Sequence, residues 1–341
     1  MEAILVTGGA GFVGLNLVEA LLARGSHVVV FGHEAALPDP APALFAKLPG
    51  RLEVIQGDVR DEATLKRVFA TRPIGGVFPF AAVTAGPLRG AADPALVIDV
   101  NLKGMIATLA AARDAGTVRR VILPSSAAVY GESAYPDPAL PYRDRVLDEA
   151  RTPPVPISLY GVTKYAVERA GLRLAGQWGV DAIAARIGAT FGPWERDTGM
   201  RDTLSLHLAF AQAAQRREEV VIPAEPPAYD WIYVRDLVAG LLKLLDADDP
   251  PHRVVNLASE MDWAPHYPAC LDALAQAFPG FRWRHAEPGE APSIRWNETK
   301  PRGVMSTTRA ADFGWRPRFG PARATADYAG WLLASADQGL P

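Results

Sequence analysis

Through the first half of the chain, short runs of β-branched and apolar residues alternate with stretches whose apolar positions recur at helical spacing. A strand buried on both faces reads as a continuous apolar run, so this alternation predicts parallel strands joined by crossover helices. Ala3 to Val6, His27 to Phe31, Leu52 to Gln56, Gly76 to Ala81 and Arg119 to Leu123 are the expected strands. Helices are expected over Phe12 to Arg24, over Pro94 to Gly116, and from Ser158, a suitable N-cap, to Gln177, with a strand from Asp181 to Ile187 after it. Beyond Gly188 the alternation stops and the chain becomes richer in Trp, Pro and Arg. A helix over Val234 to Leu245 and a strand over Val254 to Ala258 read as a return to the first unit. The expected architecture is α/β, a doubly wound parallel sheet built from residues 1–187 plus about 228–258. A smaller, discontinuous C-terminal lobe takes about 188–227 plus 259–341. The Pro-rich stretches Leu37 to Pro42, Pro136 to Pro141 and Pro153 to Pro156 are expected as surface loops.

Composition narrows the partners. At 341 residues and 49% apolar content the chain can bury a large core. A net charge of −3 with no run of like charges points away from nucleic acid and from an anionic membrane, and toward a small-molecule partner. The single cysteine, Cys270, has no internal partner for a disulfide. The start, Met-Glu-Ala-Ile-Leu-Val-Thr, has no basic leader, and no segment approaches the ~18 apolar residues of a membrane span, so a cytoplasmic protein is expected. The six histidines are scattered without ligand spacing, so no metal site is expected.

Candidate chemistry lies in two motifs. Tyr160 and Lys164 stand four residues apart in the expected helix from Ser158, hence on one face, where the ammonium can favour a tyrosinate. A phenol of pKa near ~10 so lowered can take a proton from an alcohol. The bland alternative, the less favoured of the two, is a chance pair on a solvated helix. The second motif, Thr7-Gly-Gly-Ala-Gly-Phe-Val-Gly14, joins a strand to a helix. Gly8 and Gly11 let the backbone turn toward a pyrophosphate, Gly14 lets the helix pack on the strand, and the helix start at Phe12 and Val13 attracts phosphates. At the end of the third strand, Asp58 and Val59 are candidates for an adenine contact, the alternative being a turn capped by Asp61 before the next helix.

With these motifs in place the chain resembles the extended short-chain dehydrogenase/reductase family, the NAD-dependent epimerase/dehydratase group. The resemblance spans essentially the whole chain. It includes Gly57-Asp-Val59, Phe80-Ala-Ala82, Asp99-Val-Asn-Leu-Lys-Gly104, Leu123-Pro-Ser-Ser-Ala-Ala-Val-Tyr-Gly131, Arg186 to Pro193 and Asp230-Trp-Ile-Tyr-Val-Arg-Asp236. It implies a Rossmann-type fold, a homodimer, and Ser126 at the catalytic serine position with Ser125 as the other candidate. It also implies Lys164 on the nicotinamide ribose, with Ala81, Ala82 and Asn101 beside the cofactor. The expected activity is hydride transfer between NAD(P) and a secondary alcohol of a sugar, sugar acid or small polyol. An epimerase passing through a transient ketone is the second expectation, and a non-catalytic cofactor-binding regulator the third.

Departures from the family pattern bear on substrate and cofactor. Tyr229 stands where a diphosphate-gripping arginine is common, Glu287-Pro-Gly-Glu290 replaces an Arg-x-Gly-Asp-like segment, and Ala189 replaces an asparagine. Fewer cations argue against a nucleotide-sugar diphosphate, unless Arg196, Arg201 or Arg302 points inward. Ala127 and Ala128 occupy the place of the Asp-Glu pair that dehydratases of this group carry, so dehydration is not expected. Substrate contacts are expected from Ser125, Trp194, Arg201, Tyr229 and Trp296. The tip of the second strand is Gly32 rather than a carboxylate, leaving His33 to meet a phosphate or Glu34 a ribose. No Lys or Arg lies between Gly32 and Ala46, which favours NAD over NADP. In Phe78-Pro-Phe-Ala-Ala82, Pro79 is expected near a strand end.

Overall fold

The structure, a computed structural model, describes residues 2–34, 36–137, 139–140, 145–198, 204–294, 296 and 301–336. The first half follows the expected alternation: β1 (Ala3–Thr7), α1 (Phe12–Ala23), β2 (His27–Gly32), α2 (Ala41–Phe45), β3 (Arg51–Gln56), α3 (Glu62–Ala70) and β4 (Ile74–Pro79). Next come α4 (Pro87–Ala92), α5 (Pro94–Ile98), a π-helical turn (Asp99–Lys103), α6 (Gly104–Ala115), β5 (Arg120–Ser126), α7 (Leu159–Trp178) and β6 (Ala182–Ile187). The remainder is β7 (Ala189–Phe191), α8 (Leu206–Arg216), β8 (Glu219–Ile222), β9 (Trp231–Tyr233), α9 (Val234–Asp246) and β10 (Val254–Leu257). It ends with α10 (Tyr267–Ala277), β11 (Arg282–His285), α11 (Thr308–Asp312) and α12 (Pro321–Ala336).

β1 to β6 and β10 form one seven-stranded sheet in the order β10-β6-β5-β4-β1-β2-β3. Every pairing in it is parallel. The order reverses direction between β1 and β4, and at such a switch point the loops leaving the two strands part and open a crevice beyond their carboxyl ends. One apolar cluster (Leu15, Val18, Val30, Phe78, Ile183, Leu241) joins the sheet to α1 and α9; another (Leu5, Phe31, Val77, Leu109, Leu123, Val167) joins its other face to α3, α6 and α7. Helix starts follow their caps. Asp61 accepts from the Ala63 and Thr64 amides to begin α3, and Ser158 accepts from the Gly161 amide to begin α7.

Several expectations change in detail. A short helix, α2, replaces part of the anticipated loop after Leu37. The helix from Pro94 is interrupted by the π turn, which carries Asn101 inward. By length and composition alone, Pro94–Ala115 is long and apolar enough to cross a bilayer, contrary to the expectation that no segment is. Its apolarity is used internally: Met105, Leu109, Ala111 and Ala112 are buried against the sheet. Pro79 closes β4, opposite Thr7 of β1, as its missing donor requires.

After β6 the chain builds two small parallel pairs, β7 with β9 and β8 with β11. These and α8, α10 and α12 enclose an aromatic core of Phe191, Trp231, Trp263, Tyr267 and Tyr328. His207 lies inside it, stacked on Phe191 at 3.8 Å, and burial pushes its imidazole down to about 3, so it is a neutral ring filling space.

Candidate active site

The crevice beyond the switch point is a cleft of about 660 Å³. The glycine turn forms its floor. Gly8 has φ +67°, and a Cβ there would stand 2.7 Å from the Ala81 Cα, so a side chain would force β1 and β4 apart at the point where the cleft opens. Thr7 Oγ1 ties the same two strands by accepting from the Ala81 amide at 3.1 Å. Gly8, Gly11, Phe12, Val13, Gly14, Gly32, His33, Val59, Ala81 and Ala82 all line the cleft. At Gly32 a Cβ would meet only Glu34 Oε2, 3.6 Å away, and the Gly8 nitrogen at 3.9 Å, which leaves room for a ligand's sugar. The residues present fit a dinucleotide: an open glycine turn, a helix start for phosphates, and an uncharged β4 tip.

Asp58 and Asn101 have other employment. Asp58 receives hydrogen bonds from Arg60 Nε and Nη2 at 2.9 and 2.6 Å, and the Arg60 contacts hold its carboxyl down at about 2. It also pairs with His33 at 3.3 Å, so its side chain is taken up at the rim. Asn101 is buried; its Oδ1 accepts from the Val83 amide at 2.7 Å, while its Nδ2 donates to Val83 O and Thr163 Oγ1, both at 3.1 Å. Asn101 thereby fixes the loop after β4 to α7.

The acid/base residues stand on the opposite wall. Tyr160 and Lys164 share one face of α7 and both line the cleft, with Lys164 Nζ 5.6 Å from the centre of the Tyr160 ring. Lys164 is 4% exposed, and burial pulls its pKa down to about 8. Ser126 ends β5 and lines the cleft too; its Oγ accepts from the Ala128 amide at 3.2 Å, which orients the hydroxyl. A Cβ at Gly161 would lie 2.6 Å from the Ala128 carbonyl oxygen. Only glycine lets the start of α7, with Tyr160, come this close to the turn that follows Ser126.

Ser125 lines the cleft beside Ser126, but its hydroxyl is engaged within the protein. Its Oγ donates to Glu168 Oε2 at 2.9 Å, and Glu168 accepts from Arg186 Nε and Nη2 at 2.9 and 2.8 Å. Glu168 lies two helical turns beyond Tyr160, so this buried knot fastens α7 to β5 and β6.

At the far end the cleft is lined by Tyr229, Trp231, Tyr267, Trp296 and Arg302. Arg302 Nη1 donates to the Tyr229 hydroxyl at 3.0 Å, and its guanidinium lies over the Tyr229 ring at 5.2 Å. Tyr229 and Trp296 thus both line the cleft. Trp194 does not: it is 3% exposed, packs against Phe45 and Trp331, and donates from Nε1 to Glu19 at 2.8 Å. A tryptophan next to a variable loop reads as a ligand contact, but burying so large a ring in the α1–α12 seam is the stronger demand. Arg201 lies outside the described residues. Trp231 and Tyr267, which no motif marks as contacts, reach the cleft from the aromatic core of the lobe. Among the described residues no group of three His, Cys, Asp or Glu side chains is placed to hold a metal ion.

Comparison with known proteins fits this geometry. The model of the NAD dependent epimerase/dehydratase family matches residues 4–258. The chain belongs to that family. Within that family it is of the extended short-chain dehydrogenase/reductase type. It is 35% identical over 171 residues to a UDP-glucose 4-epimerase of Lacticaseibacillus casei, covering 49% of this chain and 45% of that one. A 3 beta-hydroxysteroid dehydrogenase/Delta 5-->4-isomerase of Mycobacterium tuberculosis is 31% identical over 309 residues, 86% of this chain and 73% of its own. The first of these matches, with a UDP-glucuronate 4-epimerase 3 of Arabidopsis thaliana, spans about half the length of the relative, 45% and 55%. Among solved structures, MoeE5 in complex with UDP-glucuronic acid and NAD superposes with a TM-score of 0.75 at 25% identity, over 98% of this chain and 99% of that one.

Proposed function

We propose that this protein transfers hydride between NAD and a secondary alcohol carbon of a sugar, sugar acid or small polyol. The observation that carries the reading is the meeting of Ser126, Tyr160 and Lys164 with the Gly8 turn in one cleft. A bound nicotinamide supplies the hydride acceptor or donor. Tyr160 takes the proton of the substrate hydroxyl as its carbon is oxidised and returns it in reduction, while Ser126 hydrogen-bonds the same oxygen. Lys164, buried and cationic at neutral pH, lowers the cost of the phenolate. Ala127 and Ala128 offer no group to move a proton at a neighbouring carbon, which supports simple oxidation and reduction over dehydration. In this reading residues 1–187 with about 228–258 hold the cofactor, and about 188–227 with 259–341 read the substrate.

A second reading is supported by Arg302. Laid on Tyr229, it returns a cation to the place where the sequence lacks one, so an epimerase acting on a sugar or nucleotide sugar with tightly bound NAD remains in play. The assay separates the two: added NAD is consumed with a candidate alcohol in the first, and product inverts without net cofactor change in the second. Tyr160→Phe is expected to lower kcat about 10²- to 10⁴-fold while cofactor binding holds, and an unchanged kcat removes Tyr160 from the chemistry. A cytoplasmic homodimer belongs to the same proposal, supported by apolar Ile157 and Val162 exposed at the start of α7 and Ile98 on α5, which packs beside it.

A further inference from the structure

The strand tip that reads the adenosine ribose in dinucleotide folds carries no side chain here, yet two charges stand around it. Glu34, two residues past Gly32, brings Oε2 to 3.6 Å from where a Gly32 Cβ would be. Its carboxylate thus occupies the space that an acid at the tip would have filled. Arg196, contributed from beyond β7, enters the same cleft. Its Nη2 donates to the Ala10 carbonyl of the glycine turn at 2.8 Å, and its Nη1 is buried without a hydrogen-bond partner. Glu34 and Arg196 line the same cleft; burial pushes the Arg196 guanidinium below its ordinary range, and the Glu34 charge partly offsets this. The nearby Asp58, Arg60 and His33 pair with one another at the rim.

A guanidinium with a spare buried donor is a site for a phosphate, and a carboxylate beside it is a site for ribose hydroxyls that repels a phosphate. We propose that Glu34 and Arg196 together read the 2′ position of the cofactor's adenosine ribose. Glu34 accepts from the ribose hydroxyls and cancels the attraction Arg196 would exert on a 2′-phosphate. Preference for NAD then rests on a balance of two opposed charges rather than on a carboxylate at the strand tip, and removing Glu34 converts the pocket to one that welcomes NADP. This inference rests on the reading of the cleft as a dinucleotide site.

The test is a fluorescence titration of NADH and NADPH, which needs no substrate. The wild type is expected to bind NADH more tightly. Glu34→Gln, at an exposed position that folding does not depend on, is expected to raise the NADPH-to-NADH affinity ratio at least tenfold, and Glu34→Lys further. Glu34→Gln combined with Arg196→Gln is expected to lose that gain; Glu34→Gln with Arg196→Lys keeps most of it. An affinity ratio unchanged in both Glu34 variants overturns the proposal while the cofactor site stands, as does a gain that survives Arg196→Gln. A folded wild type that binds neither reduced cofactor overturns the dinucleotide reading, and this inference with it.

Discussion

Lys164→Met should make the protein more stable while disabling it. The ammonium is fully buried, and burial alone moves its pKa from 10.5 to about 8. At 1.36 kcal/mol per unit, this corresponds to about 3 kcal/mol by which the fold disfavours the charged form relative to the unfolded chain. The sign follows from proton counts. Below pH 8 both states hold the proton and the cost is present in full; between 8 and 10.5 the folded protein has released it while the unfolded chain has not, so stability rises with pH. Methionine keeps the aliphatic length and has no charge to desolvate. With unfolding entropies of about 2 cal/mol/K per residue, a gain of about 3 kcal/mol raises Tm by roughly 4 °C at pH 7. At pH 10 the gain should shrink to about a quarter, because wild-type Lys164 is by then mostly neutral in the fold. Thermal melts of the cofactor-free protein at both pH values, followed by circular dichroism, measure this directly. A variant no more stable than wild type at pH 7, or one with the same gain at pH 10, refutes the account of Lys164 as a charge kept at the expense of stability.

The two serines should part company. Ser126→Ala is expected to cut kcat with little change in Tm, whereas Ser125→Ala, which strips a donor from buried Glu168, should cost about 1–3 kcal/mol of stability and spare the chemistry in comparison; paired kinetics and melts tell them apart. Glu168→Gln leaves buried Arg186 without its charge partner and should destabilise by about 3–5 kcal/mol, read from denaturant midpoints at constant m-value.

The sheet was legible because its strands are buried on both faces and announce themselves as apolar runs, bounded by the Gly8 turn and by caps such as Asp61 and Ser158. The catalytic wall was legible because Tyr160 and Lys164 are bound by helical spacing. What spacing does not carry is which polar side chain spends its hydrogen bonds internally. Asp58, Asn101 and Ser125 all sit at expected positions, yet each side chain also bonds within the protein: Asp58 to its near neighbour Arg60, Asn101 and Ser125 to Thr163 and Glu168, partners set by tertiary packing. Arg196 and Arg302 carried the opposite uncertainty. As isolated arginines in an irregular segment they look like surface charges, and only the fold brings one to Ala10 and the other to Tyr229.

The ion pair of Glu168 with Arg186, with Ser125 attached, has a mechanical meaning. It makes the proton-handling wall a fixed anvil: α7, β5 and β6 share one buried joint, so Tyr160 cannot shift relative to Ser126 without breaking it. The facing wall, with Tyr229, Trp231, Tyr267 and Arg302, hangs on later segments that this joint does not bind. New substrates can be accommodated by reshaping that wall alone, with the geometry of proton transfer left as it was.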